Sequence, residues 1–397
     1  MQPDTPRADV VHCQPPPVDD QLRESCEDPE VVSLAGGVPA DELFPAQQIE
    51  AALADSLQKD AARVLQYGWP GGLDRLRAQI SAGMMRREIE IEDDQILITS
   101  GAQQALSLLG HLLLPMGAAM AVETPTYVSA LQAFDLRKPV YRTVPRTAGG
   151  IDLAALDRAL GEGGARVLYL VASGHNPTGG VLSQLERRSV LACAQRHDAW
   201  VIDDDAYGQI QYGRIEQPLL ALGQHRARTV HVGSFSKVLA PGLRVGWIAG
   251  PADLIREASR VKQAWDLETA TLNQRVLSAW LDAHSLDEHI ARCVAIYHIR
   301  RDAMVQALAA HLPPEARWEV PQGGFSLLLQ LPAPLEATSL LPKAVGQGVA
   351  FEPAAPYFVD QANHGAVRLS FANVCAPSLR HAVERLGEVI RGAMDEV

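Results

Sequence analysis

Between about residues 95 and 250 this sequence alternates short, almost uninterrupted apolar runs with segments of helical periodicity, and few architectures accept that pattern. Gln95-Ile96-Leu97-Ile98-Thr99, Ala118 to Glu123, Val140 to Val144, Val167-Leu168-Tyr169-Leu170-Val171, Trp200-Val201-Ile202 and Thr229-Val230 with Val232 read as strands. Helical patterns from Gln103 to Leu113, Leu153 to Leu160 and Gln184 to His197 lie between them. Strands that are apolar on both faces must be covered on both faces, which predicts an α/β fold with a mostly parallel sheet between helices. Ligands of such sheets gather outside the carboxyl ends of the strands. Ser100, Tyr127, Asn176, Asp204 and Lys237 all fall at such ends, and five polar side chains in equivalent places point to one shared site.

The flanking sequence is organised differently. Residues 1 to about 30 are polar and Pro-rich, with a short helix expected near Asp19 to Cys26. A β-like run at Val31-Val32-Ser33-Leu34 leads to Gly36-Gly37-Val38-Pro39, a turn or a place where backbone can approach a ligand closely. Helices are expected from Pro45 to about Leu57, with Ala51, Ala52, Leu53 and Leu57 buried, and from Leu73 to about Arg87. After Gly250 come helical segments at Pro251 to Trp265, Asn273 to His284 and Leu286 to Leu312. Strands (Phe325 to Gln330, Val349 to Glu352, Val367 to Phe371) and helices (Ser339 to Gly346, Pro377 to Met394) follow. The division this predicts is an arm over 1–45 packing with the small domain, a large domain over 46–285 and a smaller α+β domain over 286–397.

Composition removes several function classes. A chain of 397 residues, 47% hydrophobic and 21% charged, suits an enzyme with a large core. A net charge of −12 leaves no basic stripe for nucleic acid. Cys13, Cys26, Cys193, Cys293 and Cys375 have neither metal-ligand nor disulfide-framework spacing, so no metal and a reduced, cytoplasmic compartment are expected. The N-terminus, with Asp4, Arg7, Asp9 and Pro15-Pro16-Pro17, lacks the apolar core of a signal peptide. The most apolar stretch, Leu108 to Val122, is interrupted by His111, Pro115 and Gly117, and no membrane span is expected.

The chemistry concentrates in Gly233-Ser234-Phe235-Ser236-Lys237-Val238-Leu239-Ala240-Pro241-Gly242-Leu243-Arg244, a small-residue loop between two apolar runs. A lysine held between buried strands loses solvation, its pKa falls, and the amine becomes a nucleophile able to form a Schiff base with a carbonyl. Read singly, it could also stand on an exposed turn. Ser100-Gly101-Ala102 opens directly into a helix, whose free N–H groups and dipole make an anion site. Neither GxxxxGK[ST] nor GxGxxG occurs, so no nucleotide is implied. Asp203-Asp204-Asp205 could be a solvated turn or a metal site, although both are out of place directly after Trp200-Val201-Ile202. Asn176 before Pro177, taken alone, reads as a cap or turn residue.

Taken together, Asn176-Pro177-Thr178-Gly179, Asp204-Asp205-Ala206-Tyr207, Ser234-Phe235-Ser236-Lys237 with Arg244, and Val367-Arg368-Leu369-Ser370-Phe371 resemble the class I/II aminotransferases in order and spacing. These are pyridoxal 5'-phosphate enzymes of fold type I. Gly36-Gly37-Val38-Pro39 with Phe44-Pro45, and Leu65-Gln66-Tyr67-Gly68, look most like the 2-aminoadipate and kynurenine aminotransferase branch. The resemblance covers the chain from about residue 30. It implies that Lys237 carries the cofactor as a Schiff base and moves protons, that Asp204 pairs with the pyridine nitrogen, and that Tyr207 and Asn176 bond the phenolic oxygen.

Further roles follow from the same resemblance. Ala102 and Gln103, with Ser234, Ser236 and Arg244, would surround the phosphate, and Tyr127 would stack on the ring. Tyr67 would reach the phosphate of a neighbouring subunit, implying a homodimer. Arg368, helped by Gly37 and Asn176, would clamp the substrate α-carboxylate in bidentate fashion. Arg23 is a candidate second clamp.

Gly174-His175, Ala354-Ala355 and Trp69 depart from the family pattern and are expected near the substrate side chain. Three functions stay open. One is transamination between an L-amino acid and a 2-oxo acid such as 2-oxoglutarate or pyruvate. Another is elimination, decarboxylation or oxidation on the same scaffold. The last is a cofactor-sensing regulator, which needs a basic DNA-binding domain that the roughly 30 leading residues cannot form.

Overall fold

The computed structural model of the chain describes residues 28–147 and 150–396. The expected helix near Asp19 to Cys26, and Arg23 with it, lie outside the described residues. The described residues form fourteen strands: β1 (Val32–Ser33), β2 (Ile96–Thr99), β3 (Ala119–Thr124), β4 (Val140–Thr147), β5 (Gly150–Ile151), β6 (Val167–Leu170), β7 (Trp200–Asp204), β8 (Thr229–Ser234), β9 (Gly246–Ala249), β10 (Arg317–Trp318), β11 (Ser326–Gln330), β12 (Val349–Ala350), β13 (Glu352–Pro353) and β14 (Ala366–Ser370).

Eight of them form the central sheet in the order β2-β9-β8-β7-β6-β3-β4-β5. The pairs β3–β4, β3–β6, β6–β7 and β7–β8 are parallel, while β9 runs antiparallel to both β2 and β8, and β5 is antiparallel to β4. The mostly parallel sheet expected from the apolar runs is therefore present, with β9 inserted between two parallel strands. Residues of β2, β6, β8 and β9 are buried along their whole length, as strands covered on both sides must be. Side chains alternating along these strands feed two separate apolar clusters: Val167, Tyr169, Ile202, Val230, Val232 and Ile248 in one, Leu168, Leu170 and Val201 in the other.

A four-stranded antiparallel sheet, β10-β11-β14-β13, lies beyond the long helix Leu286–His311, which packs on the C-terminal helix Ala376–Asp395. β1 pairs in parallel with β12, tying the N-terminal segment to this C-terminal part.

Several local expectations change. The helix expected to stop near Leu57 spans Ala46–Val64, with a break in helical geometry at Asp60, and Ala51 is exposed rather than buried. The run Val349 to Glu352 is two short strands, because Val349–Ala350 bonds to β1 and Glu352–Pro353 turns to β14. The helix Val128–Asp135 has no signal in the periodicity: Val128, Ala130, Leu131, Ala133 and Phe134 are all buried, which erases the polar face that betrays a surface helix. No helix among the described residues is long and apolar enough to cross a membrane.

Candidate active site

A cavity of about 470 Å³ opens at the carboxyl ends of the parallel strands, within the size range of small-molecule sites. Gly37, Ala102, Gln103, Tyr127, Asn176, Asp204, Tyr207, Ser234, Ser236, Lys237, Arg244 and Arg368 all line it. The residues expected around the cofactor and the α-carboxylate are thus brought together except Tyr67, which is 78% exposed and outside the cavity of its own chain, and Ser100 at the end of β2 does not line the cavity either. A larger groove of about 1020 Å³, edged by Arg146, Glu186, Arg301 and Trp318, contains none of them.

Lys237 sits in the loop between β8 and β9, between the buried residues Phe235 and Val238 that anchor it. Its Nζ donates to Gly37 O at 2.8 Å and lies 5.6 Å from the centroid of the Tyr207 ring. Burial lowers the pKa of its ammonium, with the nearby Arg368 and Arg244 adding to the shift and Tyr127 and Asp204 opposing it. That is the environment a nucleophilic amine needs.

Asp204 ends β7. Strand alternation sends its two neighbours the other way: Asp203 accepts the Leu219 N–H at 3.1 Å, and Asp205 pairs with Arg87 at 2.6 Å. Burial pushes the Asp204 carboxyl up to about 6, opposed by the Tyr169 hydroxyl, which donates to Oδ2 at 2.9 Å, and by the Ala206 N–H at 3.3 Å. Tyr169 carries no sequence signal of a site role. Only its position in β6 marks it, paired in register with Ile202 two residues before Asp204. Burial likewise raises the Tyr207 phenol to about 12, with Arg368 pulling it down.

Asn176 is held by a loop that fully buried Arg187 staples, donating to Ala172 O, Leu182 O and Ser173 Oγ at 3.0, 2.8 and 2.8 Å. Ser326 Oγ donates to Pro177 O at 3.2 Å from the smaller sheet. The helix Ala102–Leu113 starts at the cavity after Gly101, whose φ of +81° suits glycine, and no side chain caps it. A Cβ on Gly101 would come within 2.6 Å of Arg244 Nη2, so glycine also lets this arginine lie over the helix start.

The Arg368 guanidinium donates from Nε to Asn176 Oδ1 at 3.0 Å and from Nη1 to Ala35 O at 2.8 Å and Glu352 Oε2 at 2.7 Å. The free bidentate edge expected of it is therefore partly engaged. Burial alone would lower its pKa, but Tyr357 and Glu352 hold it raised. Glu352 and Tyr357 line the cavity and also escaped the sequence reading, where Glu352 was visible only as a charged end to the apolar run Val349-Ala350-Phe351.

The three departures from the family pattern do not line this cavity. His175 is fully buried, its Nδ1 2.9 Å from Thr178 Oγ1 and its Nε2 3.4 Å from Glu123 Oε2, with burial and Arg146 holding its pKa well below the usual histidine value. Ala354 is buried in an apolar cluster, and Trp69 is 80% exposed. Among the described residues one cluster has metal-ligand types, Asp157, Cys193 and His197. Arg196 Nη2 stands 2.7 Å from the Asp157 oxygen that His197 also contacts, putting a cation where an ion would bind.

A buried amine with a lowered pKa, a buried carboxyl across the cavity and an uncapped helix start beside an arginine and two serines fit an aldehyde-bearing, cationic aromatic ring with a phosphate. The comparisons with known proteins agree. The family model described as aminotransferase class I and II matches residues 29–386. The aromatic-amino-acid aminotransferase 1 of Thermococcus litoralis is 35% identical over 381 residues, covering 94% of this chain and 91% of its own. Two solved structures superpose with a TM-score of 0.89 at 34% identity. One is the kynurenine aminotransferase of Pyrococcus horikoshii with PMP, covering 94% of each chain. The other is the α-aminoadipate aminotransferase of Thermus thermophilus with N-(5'-phosphopyridoxyl)-L-leucine, covering 96% of each.

The chain belongs to the class I and II aminotransferases. It has the fold type I architecture, and its cofactor is pyridoxal phosphate.

Proposed function

We propose that this aminotransferase exchanges the amino group of an L-amino acid with a 2-oxo acid, 2-oxoglutarate or pyruvate, through a covalent link to Lys237 Nζ. The observation that carries the reading is the convergence of Lys237, Asp204, Asn176, Tyr207, Arg244 and Arg368 on one cavity from four separate stretches of chain. When bound, the cofactor supplies a carbonyl for the amine and a ring that takes up carbanion charge.

The residues around it have distinct tasks. Lys237 Nζ would take the proton from the substrate Cα and return it on the other side of the exchange. Asp204, kept from solvent and oriented by Tyr169, holds the proton on the ring nitrogen through charge pairing. Tyr207 Oη and Asn176 Nδ2 would donate to the phenolic oxygen, while Asn176 Oδ1 stays with Arg368. The backbone N–H groups of Ala102 and Gln103, the hydroxyls of Ser234 and Ser236 and the Arg244 guanidinium hold the phosphate. Tyr127 would cover one face of the ring. Arg368 and the Gly37 backbone receive the substrate end.

A two-fold dimer completes the site in this reading. Leu65, Tyr67 and Trp69 are exposed at 70, 78 and 80%, and Gly68 between them lies against Glu268 and Thr271. Thr269 in turn reaches Ser100 at the end of β2 with a 3.4 Å contact. An exposed aromatic strip beside a strand end that feeds the cavity supports Tyr67 crossing to a partner's phosphate. The arm over 1–45, the large domain over 46–285 and the small domain over 286–397 are the natural units, since β1 joins β12 and the four-stranded sheet is built wholly after residue 285. Buried free Cys193 and Cys293 suit the cytoplasm.

The test is a panel of amino acids, including aromatic, acidic and basic ones, scored by conversion of the bound cofactor to its amine form. A 2-oxo acid is then added to recover the starting absorption. Release of ammonia or CO₂ instead of that recovery refutes transamination.

A further inference from the structure

The register of the smaller sheet sets a second charge against Arg368. Glu352 in β13 and Arg368 in β14 are directly opposed antiparallel partners, so their side chains share one face at close range. Glu352 Oε2 accepts from Arg368 Nη1 at 2.7 Å, and Oε1 accepts the Tyr357 hydroxyl at 2.8 Å. Acid and arginine are exposed by only 4% and 3%, and both line the cavity. The second Nη1 hydrogen is taken by Ala35 O and Nε by Asn176. Nη2 alone donates to no described residue, and it points at Gly37, where a Cβ would overlap it.

We propose that Glu352 is a specificity-determining residue that neutralises the Arg368 subsite, so that the subsite receives an uncharged substituent nearly as well as a carboxylate. The proposal rests on the reading of Arg368 as the residue facing the substrate carboxylate. A carboxylate entering the subsite meets an ion pair of zero net charge, one donor nitrogen in place of two, and the Glu352 oxygens close by. Two parallel charge-assisted bonds are what make an arginine selective for carboxylates. Glu352 cannot withdraw to release the second one, because the strand register fixes its backbone opposite Arg368 and Tyr357 holds its other oxygen. Removing the charge while keeping the shape takes a buried anion away from the incoming carboxylate, and should therefore strengthen carboxylate binding by about tenfold or more, on the order of one hydrogen bond to a charged group. The amino donors this admits beside L-amino acids are amines, and amino compounds recognised mainly through their side chain.

The measurement uses the cofactor-loaded enzyme and two unreactive probes of one carbon skeleton, 3-phenylpropionate and 3-phenyl-1-propanol. Their Kd values are read from the change in the cofactor's absorption. The wild type should bind the two within about threefold of each other, and Glu352→Gln should bind the acid at least tenfold more tightly than the wild type does, with the alcohol unchanged. Glu352→Val serves as the second variant, and unchanged cofactor absorption and melting temperature certify folding. A wild type that already prefers the acid tenfold, or a Gln variant that binds it no better or not at all, overturns the proposal. Either result would leave Glu352 as a support that merely aims Arg368. The double variant Glu352→Gln/Arg368→Ala separates the underlying reading from the proposal: a gain that survives loss of the arginine means Arg368 is not the carboxylate-binding residue.

Discussion

Replacing Asp204 by Asn should make the cofactor-free protein more stable while depriving it of its chemistry. The carboxyl is buried, and its pKa is raised from 3.8 to about 6. An acid whose folded pKa lies above its unfolded value holds its proton more tightly when folded. The folded state is therefore penalised progressively as pH climbs from about 4 to about 6, and the full penalty persists above that range. Two pKa units correspond to roughly 3 kcal/mol at 1.36 kcal/mol per unit. Sharing of the field with buried Asp203 and Asp205 brings the useful figure to about 1–3 kcal/mol.

The Asn variant escapes this penalty. It keeps an oxygen for the Tyr169 hydroxyl and loses the weaker bond from Ala206 N–H, at 3.3 Å, for about 1 kcal/mol. The expected outcome at pH 7 is a net gain of about 1–2 kcal/mol, a rise of a few degrees in Tm. The assay is thermal melting of the apoenzymes between pH 4 and 8. The difference between the two curves isolates this one group, opening through pH 4–6 and staying level above. Saturation with pyridoxal phosphate should reverse the order, because the carboxylate then faces a positive ring nitrogen that an amide cannot match. A variant that melts at or below the wild type from pH 6 to 8 refutes the claim that Asp204 is an unpaired buried acid awaiting a cation.

Lys237→Ala should yield protein from which the cofactor dialyses away and to which borohydride no longer fixes it; retained covalent label would place the linkage on another amine. Arg368→Ala should raise KM for amino acids while the absorption of the bound cofactor stays unchanged, and loss of the cofactor itself would make the arginine structural. Tyr169→Phe removes a bond that lowers the Asp204 pKa, so apoenzyme affinity for pyridoxal phosphate, measured by titration from pH 5.5 to 8.5, should fall most at the acidic end; an unshifted pH profile contradicts the assigned role. Glu123→Ala strands buried Arg146, its partner at 2.7 Å, and the Val171 N–H at 2.8 Å. A loss of about 3–5 kcal/mol is expected in thermal or chaotrope melts, and a loss below 1 kcal/mol would mean that water replaces the carboxylate.

The alternation of apolar runs with helical periods sufficed to place Lys237, Asp204, Asn176 and Tyr127 at strand ends, because a strand buried on both faces announces itself locally and the chain can turn only where the run stops. The roles of the motif residues around the cofactor were legible only through the resemblance of their short contiguous segments to the class I/II aminotransferases. What the sequence could not carry was any pairing between segments. His175 looked like a cavity residue until the sheet packing closed Glu123 and Thr178 around it. Tyr169 met Asp204 only through the register of β6 with β7.

Most consequentially, Glu352 and Arg368 stand 16 residues apart, at a separation that says nothing about contact, and only the antiparallel register of β13 with β14 makes them neighbours. Local pattern fixes which way a residue points within its own element. Whether a positive charge meets solvent, a substrate or a buried acid depends on distances between elements, and those exist only once the chain has packed.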